Sequence, residues 1–510
     1  MTPLESQLLE SPVIGAPEIG REERSVPALC VDLDGTLVKS NTLVDSLLVL
    51  ARKRPMDILR LPGWLAMGRV VFKQRVSAAV QLDVEHLPYN QLLLEYLRKQ
   101  HGAGRPLYLA TAADSVLADH VAGFLGIFDE VLASDGVTNL SGENKLEAFR
   151  RRFPQGFCYI GNASPDALLL AASQTPMVAN PHLSLRRLMR RSGTVSTASF
   201  IDRAPLFKSW LRAVRLHQWA KNTLIFVPLL LAHQWNAATI TGAVVAFFSF
   251  GMCASATYII NDLLDLETDR RHPRKRRRPF AAGDLSAISG VFAVLVLMAA
   301  AAALAVALPA IVAAVAGYDA LEKPYSFLGW LGLYTVTTLI YSLYLKRRLL
   351  LDVFVLSGLY TIRILAGWGA TGVEVSAWLA GFSVFFFLSL AYVKRFSELK
   401  SLGERGDAST SGRGYTIGDL EMLRALGVGS AYAAVVVMTL YINNGANASA
   451  LYLHPVRLWM VVPVLLLWLS HVWMLASRGQ MHDDPVIYAV TDKRSLFLGV
   501  LMAAVVWFAL

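Results

Sequence analysis

Asn261, Asp262, Asp265 and Asp269 fall within nine residues of one another in NDLLDLETDRRHPRKRRRPF (residues 261–280), directly behind a long apolar run. If 241–269 continues as one helix, a rotation of about 100° per residue projects all four side chains within an arc of roughly 100°. Carboxylates that close repel one another unless cations lie between them. Hard oxygen ligands at this spacing suit Mg²⁺, which keeps several waters and bridges to substrate phosphates. The plain alternative is a solvated acidic helix end. Against it, Asn-Asp at a membrane boundary is costly, and ionisable groups at such depth usually mark function. Seven basic residues follow between Arg270 and Arg278. They can anchor a helix end at the lipid surface, but the His-Pro and Arg-Pro punctuation makes a shaped loop. A metal site beside arginine forks is what a polyphosphate substrate requires.

A second constellation lies near the other end of the chain. ALCVDLDGTLVKS (28–40) is a buried-strand pattern ending in a tight Gly turn, which places Asp32 and Asp34 at the carboxyl end of a sheet, where α/β folds hold their chemistry. Alone, that motif could be a chance Asp-Gly turn. It is followed in order by LYLATAAD (107–114) with Thr111, GENKLEAF with Lys145, and GFCYIGNASPDA (156–167) with Asn162 and Asp166.

The elements that position these residues differ between the two halves. Over 510 residues the hydrophobic share is 55% and the mean hydropathy +0.45. The excess is uneven, with ordinary charge density in 1–200 and repeated membrane-length apolar runs in 223–510. Nine candidate spans are marked: 223–240, 241–262, 287–317, 327–345, 350–370, 376–393, 424–442, 457–476 and 496–510. The first contains Pro228 and His233 and is the weakest; the third is overlong and expected to tilt or break near Pro309. With the N-terminal region inside, the segments on that side carry 23 Lys and Arg, while the opposite loops carry two, Lys323 and Arg457. The positive-inside rule therefore predicts that the N-terminal domain and every motif above face the cytoplasm. Residues 1–27 lack the apolar core of a signal peptide. Cys30, Cys158 and Cys253 show neither metal-ligand nor redox spacing and read as buried thiols in a reducing compartment. The net charge of +10 fits cytoplasmic loops on anionic lipid; the basic residues are dispersed between spans, which argues against nucleic acid as a partner.

The NDLLDLETD run resembles the NDxxDxxxD motif of the UbiA superfamily of intramembrane prenyltransferases. RLHQWAKN (215–222), ATYIINDLLDLETDRRHPRKRRRPFAAG, YSLYLK (341–346) with Asp352 following, and KRFSEL (394–399) are similar, in order, to its decaprenyl-phosphate phosphoribosyltransferase branch, over about 205–510. The resemblance implies a phosphoribosyl pyrophosphate donor, a polyprenyl phosphate acceptor, and Mg²⁺ held by Asp262, Asp265 and Asp269 with Asn261. It also implies substrate contacts among Lys221, Asn222, Arg274, Lys275, Arg278, Tyr341, Lys346, Asp352, Lys394, Arg395 and Glu398. Arg363, midway along a span, is either a structural partner of a carboxylate or a lipid-phosphate ligand.

The N-terminal set resembles the haloacid dehalogenase (HAD) superfamily over about 27–190, with 42–100 as a helical cap. By that resemblance Asp32 is the nucleophile, Asp34 the general acid/base, Thr111 and Lys145 the phosphate holders, and Mg²⁺ sits by Asp32, Asp34, Asn162 and Asp166. The last motif departs from the family, because Asn162 stands where a carboxylate is usual. That leaves an active phosphatase and an inactive, regulatory domain both open. The expected organisation is thus multi-domain: a tail (1–26), an α/β HAD-like (Rossmannoid) domain with a helical cap (27–190), a linker (191–210), and an all-α, UbiA-like polytopic membrane domain of about nine helices (211–510). Fusion suggests that the HAD domain removes the 5-phosphate of the transferase product, giving polyprenyl-phosphoryl ribose, a precursor of lipid-linked arabinose. The alternatives are an aromatic prenyltransferase using a prenyl diphosphate, and a non-catalytic membrane scaffold or transporter. The Gly/Ser-rich 401–420 reads as a connector or as a loop closing over the donor. ILRLPGWLAMGRVVF in the cap, too short and too charged to span, reads as a stretch resting on the membrane surface.

Overall fold

The computed structural model describes residues 26–134, 140–318, 321–404, 414–444, 451–481 and 484–510. The chain forms two compact units. One comprises the residues up to Val38 with Met67–Ser77 and Tyr89–Asp202; the other comprises Lys39–Ala66, Ala78–Pro88 and Arg203–Leu510. The stretch expected as a cap therefore divides, and 42–66 and 78–88 group with the helical unit.

The first unit is built on a parallel sheet of β1 (Leu29–Val31), β2 (Leu107–Asp114), β3 (Glu130–Ser134), β4 (Cys158–Gly161), β5 (Pro176–Ala179) and β6 (Ala198–Phe200), ordered β3-β2-β1-β4-β5-β6. β1 and β4 are buried along their whole length, as expected for a parallel sheet covered on both faces. The strand order reverses between β1 and β4, and ligands of such sheets bind outside the strand ends at that reversal. Asp32 follows β1 there, its N–H donating to Ile160 O at 3.0 Å, and Asn162 follows β4. Gly35 is required by both conformation and space. Its φ is +77°, and a Cβ would sit 2.0 Å from Asn162 Nδ2. Cys30, Cys158 and Cys253 are free and buried.

The second unit is helical: α1 (Thr42–Lys53), α2 (Ala237–Leu264), α3 (Leu266–Arg271), α4 (Ala287–Ala316), α5 (Ser326–Leu343), α6 (Leu351–Thr371), α7 (Ala377–Gly403), α8 (Leu420–Asn443), α9 (Val461–Ser477) and α10 (Lys493–Ala509), with short turns between. Among the described residues seven helices are long and apolar enough to cross a membrane, not nine. The run 223–240 is not one membrane-length helix: it is 3₁₀ from Leu216 to Phe226, a short helix Val227–Leu231, and a turn before α2. Pro228 enters that short helix at its N-terminal end, where a missing N–H costs nothing. Asn236 then caps a fresh start, its side chain accepting from Thr239 N at 2.9 Å. α10 has the apolar character of a span but only 17 residues. α4 runs unbroken through Pro309 for 30 residues and stops at Gly317 in the left-handed region (φ +79°). The 241–269 helix, expected as one piece, breaks at Asp265 (φ −92°, ψ 11°) into α2 and α3. The Asp265 N–H to Asn261 O and Asp269 N–H to Asp265 O bonds persist across the break, at 2.9 and 2.8 Å.

Close backbone approach fixes α6. A Cβ at Gly367 would lie 2.2 Å from Ile225 O, whereas nothing approaches within 4 Å of one at Gly429 in α8. Gly367→Ala is expected to cost about 1–3 kcal/mol through forced displacement. Gly429→Ala should be neutral or slightly stabilising. Thermal unfolding of the two variants in detergent, compared with wild type, checks this.

Candidate active sites

In the first unit, β1, β2, β4 and the helix Glu143–Arg152 bring the expected residues to the strand ends. Lys145 Nζ donates to Asp32 Oδ1 at 2.8 Å and to the Tyr159 hydroxyl at 3.0 Å. Thr36 Oγ1 donates to Asp32 Oδ2 at 3.4 Å. Burial pushes the Asp32 carboxyl up to about 7, Lys145 opposing and Asp166 adding to the rise. Thr111 is buried, and its hydroxyl accepts from Ala113 N at 3.0 Å. Asp34 is half-buried in the turn after β1.

Asp166 is held on both oxygens. Oδ1 accepts from the Tyr159 hydroxyl at 2.8 Å, and Oδ2 accepts from the N–H groups of Asn162 and Ala163, each at 2.9 Å. By contrast Asn162 Oδ1 is buried with no hydrogen-bond partner among the described residues. A buried carbonyl oxygen beside two carboxylates fits a hard cation, so Asp32, Asp34 and Asn162 are the groups suited to hold Mg²⁺.

The second site is at the α2–α3 joint. Asp262 Oδ1 pairs with Arg215 Nη2 at 2.5 Å and with Arg278 Nη1 at 3.0 Å, and the same Arg278 nitrogen lies 2.6 Å from Asp269 Oδ2. Two of the expected metal ligands thus converge on one cationic point, the arrangement a divalent ion needs. Asp265 instead meets Lys346 at 2.8 Å and Arg52 at 3.3 Å. Asn261 is half-buried on the last turn of α2. Burial pushes the Asp269 carboxyl up to about 6, against the lowering by Arg278. Burial also draws the Lys346 ammonium down, with Asp265 opposing. Arg274 and Lys275 are exposed, and Tyr341 is half-buried at the end of α5.

Arg215, the first residue of RLHQWAKN, is a site residue that sequence spacing does not single out. It is a non-glycine residue in the left-handed region (φ +54°), where strain of about 1–2 kcal/mol is stored. Its guanidinium lies 5.1 Å from the ring centroid of Tyr258, one helical turn before Asp262.

Behind this joint lies a cationic cluster. Lys221 and Lys394 both donate to Asp484 Oδ2 at 2.8 Å, and the Tyr360 hydroxyl donates to the same carboxylate. Burial raises Asp484, but the ammonium groups of Lys394 and Lys221 outweigh it and hold the carboxyl well below its usual range. Burial draws Lys221 down to about 8, Asp484 opposing. Arg363 bonds the Asn222 side-chain oxygen at 3.1 Å, Leu359 O at 2.5 Å and the Tyr334 hydroxyl at 3.0 Å. Those three partners are uncharged. Sequence reasoning missed Asp484; its only local signal is an Asp before Pro485 at a helix start, where its side chain caps Val486 N.

Arg395, Asp352 and Glu398 form a separate packed group. Arg395 Nη2 is 2.6 Å from Asp352 Oδ2 with both side chains fully buried, Arg395 also pairs with Glu398, and the Tyr415 hydroxyl donates to Asp352 at 2.5 Å. Together the two groups hold four cations (Lys221, Arg363, Lys394, Arg395) against three carboxylates (Asp352, Glu398, Asp484).

Residues 222–501 match the UbiA prenyltransferase family. A membrane-embedded helical domain with an acidic joint at one helix end is the class this defines, and the chain belongs to the UbiA prenyltransferase family. The uncharacterized protein y4nM of Sinorhizobium fredii is 37% identical over 94% of this chain and 90% of its own. Nodulation protein NoeC of Azorhizobium caulinodans is 37% identical over 57% of this chain and 89% of its own. Decaprenyl-phosphate phosphoribosyltransferase of Corynebacterium glutamicum is 33% identical over 37% of this chain, which spans 54% of that enzyme's length. Among solved structures, a UbiA homolog from Archaeoglobus fulgidus bound to DMAPP and Mg²⁺ covers 59% of this chain and 98% of its own at 15% identity and TM-score 0.44. A HAD family hydrolase from Salmonella enterica covers 31% of this chain and 64% of its own at 14% identity and TM-score 0.24.

Removing one partner of a buried ion pair costs about 3–5 kcal/mol, because the other charge stays behind unpaired. Asp484→Ala strands Lys221 and Lys394 together, so a loss of that order is expected in thermal unfolding. Adding Lys221→Met in the Asp484→Ala background should restore part of it. An Asp484→Ala variant as stable as wild type would show that the three charges do not share a buried site.

Proposed function

We propose that this protein transfers the 5-phosphoribosyl group from phosphoribosyl pyrophosphate to a polyprenyl phosphate at the cytoplasmic face of a bacterial membrane. The observation that carries the reading is the second anion-type site: two lysines converging on one buried carboxylate, beside an Arg363 whose partners are uncharged. An aromatic acceptor would need no such charge; an acceptor that is itself a phosphate would. The relatives named as decaprenyl-phosphate phosphoribosyltransferases support the same reading.

Asp262, Asp265 and Asp269, with Asn261 beside them, would hold Mg²⁺, and the ion would supply positive charge to the departing pyrophosphate. Arg278, Lys346 and Arg215 lie at the same joint and supply further positive charge to it. Arg274 and Lys275 extend that charge along the loop. Lys221, Lys394 and Arg363 hold the lipid phosphate, and Asn222 orients Arg363. An acceptor oxygen forms the new bond to the anomeric carbon as the carbon–oxygen bond to pyrophosphate breaks on the opposite face. The nucleophile is already an anion, so no general base is required. Positioning and charge stabilisation carry the rate. Tyr341 lines this region, while Arg395, Asp352 and Glu398 set the packing behind it.

The product keeps a 5-phosphomonoester, the class of group the N-terminal unit is suited to remove. Asp32 attacks phosphorus, Asp34 protonates the departing sugar oxygen, and water then releases inorganic phosphate from the aspartyl ester with Asp34 taking its proton. Lys145 and Thr111 hold the phosphoryl oxygens. One observation favours an inactive domain instead: Asn162 stands where the HAD resemblance implies a carboxylate.

Both halves are tested with purified protein, polyprenyl phosphate and donor labelled in the sugar and the 5-phosphate. Asp262→Asn or Asp269→Asn should lower transfer at least about a hundredfold, the scale of losing a few kcal/mol of charge stabilisation. Asp32→Asn should leave transfer intact and accumulate the lipid-linked ribose 5-phosphate. No labelled lipid with wild type, but consumption of a prenyl diphosphate, rejects the transferase reading. Equal phosphate release by wild type and Asp32→Asn rejects the phosphatase.

A further inference from the structure

The segment Lys39–Ala66 interrupts the N-terminal sequence motifs, between Asp34 and Thr111, yet it belongs to the helical unit. Its placement there is firmly built. Asp45 pairs with Arg270 at 2.9 Å, the two side chains only 1% and 6% exposed, and Arg270 Nη2 also reaches Ser40 Oγ at 3.1 Å. Leu48 packs against the core formed by Ile259, Leu263 and Phe280. Farther along, Lys53 meets Glu267 at 2.9 Å, and Asp83, from the second segment of this unit that precedes Arg203, meets Arg271 at 2.6 Å. These contacts lock α1 along α2 and α3, the two helices that carry the NDLLDLETD carboxylates.

The result is that Arg52, from the last turn of α1, stands 3.3 Å from Asp265. Asp265 is the carboxylate that Arg278 leaves alone, and its closer partner is Lys346 at 2.8 Å. Arg52 is therefore the looser of two cations on that carboxylate. A guanidinium has five donor hydrogens, and one ion pair leaves several for a second oxyanion. Beside it opens a groove of about 640 Å³, lined by Lys53, Arg54, Gln81, Asp83, Glu267 and Arg271. That volume lies in the range of small-molecule sites.

We propose that α1 is a working part of the transferase site, and that Arg52 binds the pyrophosphate of the phosphoribosyl donor beside Asp265. The inference rests on the reading of the α2–α3 joint as the donor site and adds to it a binding residue supplied from outside the 222–501 family match. A charge-assisted, geometrically matched contact of this type typically contributes about one to two orders of magnitude in affinity.

The test uses the full chain with Mg²⁺, comparing wild type with Arg52→Ala, Arg52→Lys and Arg60→Ala, the last an exposed arginine of the same segment that pairs with Asp57. For Arg52→Ala, KM for phosphoribosyl pyrophosphate and the inhibition constant of inorganic pyrophosphate should both rise about 10- to 100-fold. KM for polyprenyl phosphate, inhibition by ribose 5-phosphate and the melting temperature should hold. Arg52→Lys should recover part of the loss, and Arg60→Ala should match wild type. The proposal is overturned if Arg52→Ala leaves the pyrophosphate constants unchanged, or if both substrates' KM values rise together with a fall in melting temperature, the signature of a purely structural role. If wild type gives no transfer from phosphoribosyl pyrophosphate, the donor reading itself fails, a different result from transfer that is insensitive to Arg52.

Discussion

Crowding of like charge at the α2–α3 joint is the constraint from which the rest of the helical unit follows. Asp262, Asp265, Glu267 and Asp269 fall within eight consecutive positions. Two unit charges 4 Å apart interact by roughly 4 kcal/mol at the effective dielectric of a protein surface. No local device offsets several such terms, so cations must come from elsewhere in the chain. They arrive from four segments: Arg215 just before the 3₁₀ stretch that starts at Leu216, Arg278 from the loop after α3, Lys346 after α5, and Arg52 from α1. The same residues that fit the positive-inside pattern also complete the acidic joint. Anchoring and site-building are therefore one arrangement rather than two.

The Asp484 cluster obeys the opposite arithmetic. There the excess is positive, and one carboxylate serves two lysines. Buried ion pairs are often no more stable than the apolar residues that could replace them. In a membrane domain, where ionisable groups are rarer still, their retention points to a ligand of opposite sign. Tyr258 belongs to the acidic joint, with Arg215 over its ring and Asp262 one turn further along α2.

What was legible in the sequence was local. NDLLDLETD and the strand-end motifs of the first unit announce themselves because spacing within a few residues fixes which side chains share a face. The apolar runs announced most of the helices for the same reason. The run 223–240 misled because hydropathy does not register Pro228, the cap at Asn236 or the 3₁₀ winding that those residues bring. Asp484 was illegible because its meaning lies in Lys221 and Lys394, 263 and 90 residues away. α1 was assigned to a cap by its place between two motifs. Its real affiliation rests on Asp45 and Leu48 meeting Arg270 and Phe280, and no pattern within 42–53 names those partners.

Asn162 shows how one neutral substitution acts in two directions at once. An amide oxygen there is neutral, a weaker donor to a divalent ion than a carboxylate would be. It also removes a negative neighbour from Asp32, whose carboxyl is already pushed up by burial and by Asp166, with Lys145 as the main opposing charge. A second carboxylate at 162 would raise it further, since like charge disfavours ionisation. The amide therefore eases ionisation of Asp32 relative to a carboxylate at the same position. Its Oδ1 stays buried and turned away from any protein donor among the described residues, and its Nδ2 fills the space that only a glycine at 35 leaves. Packing of that closeness fixes the Asn162 side chain in place.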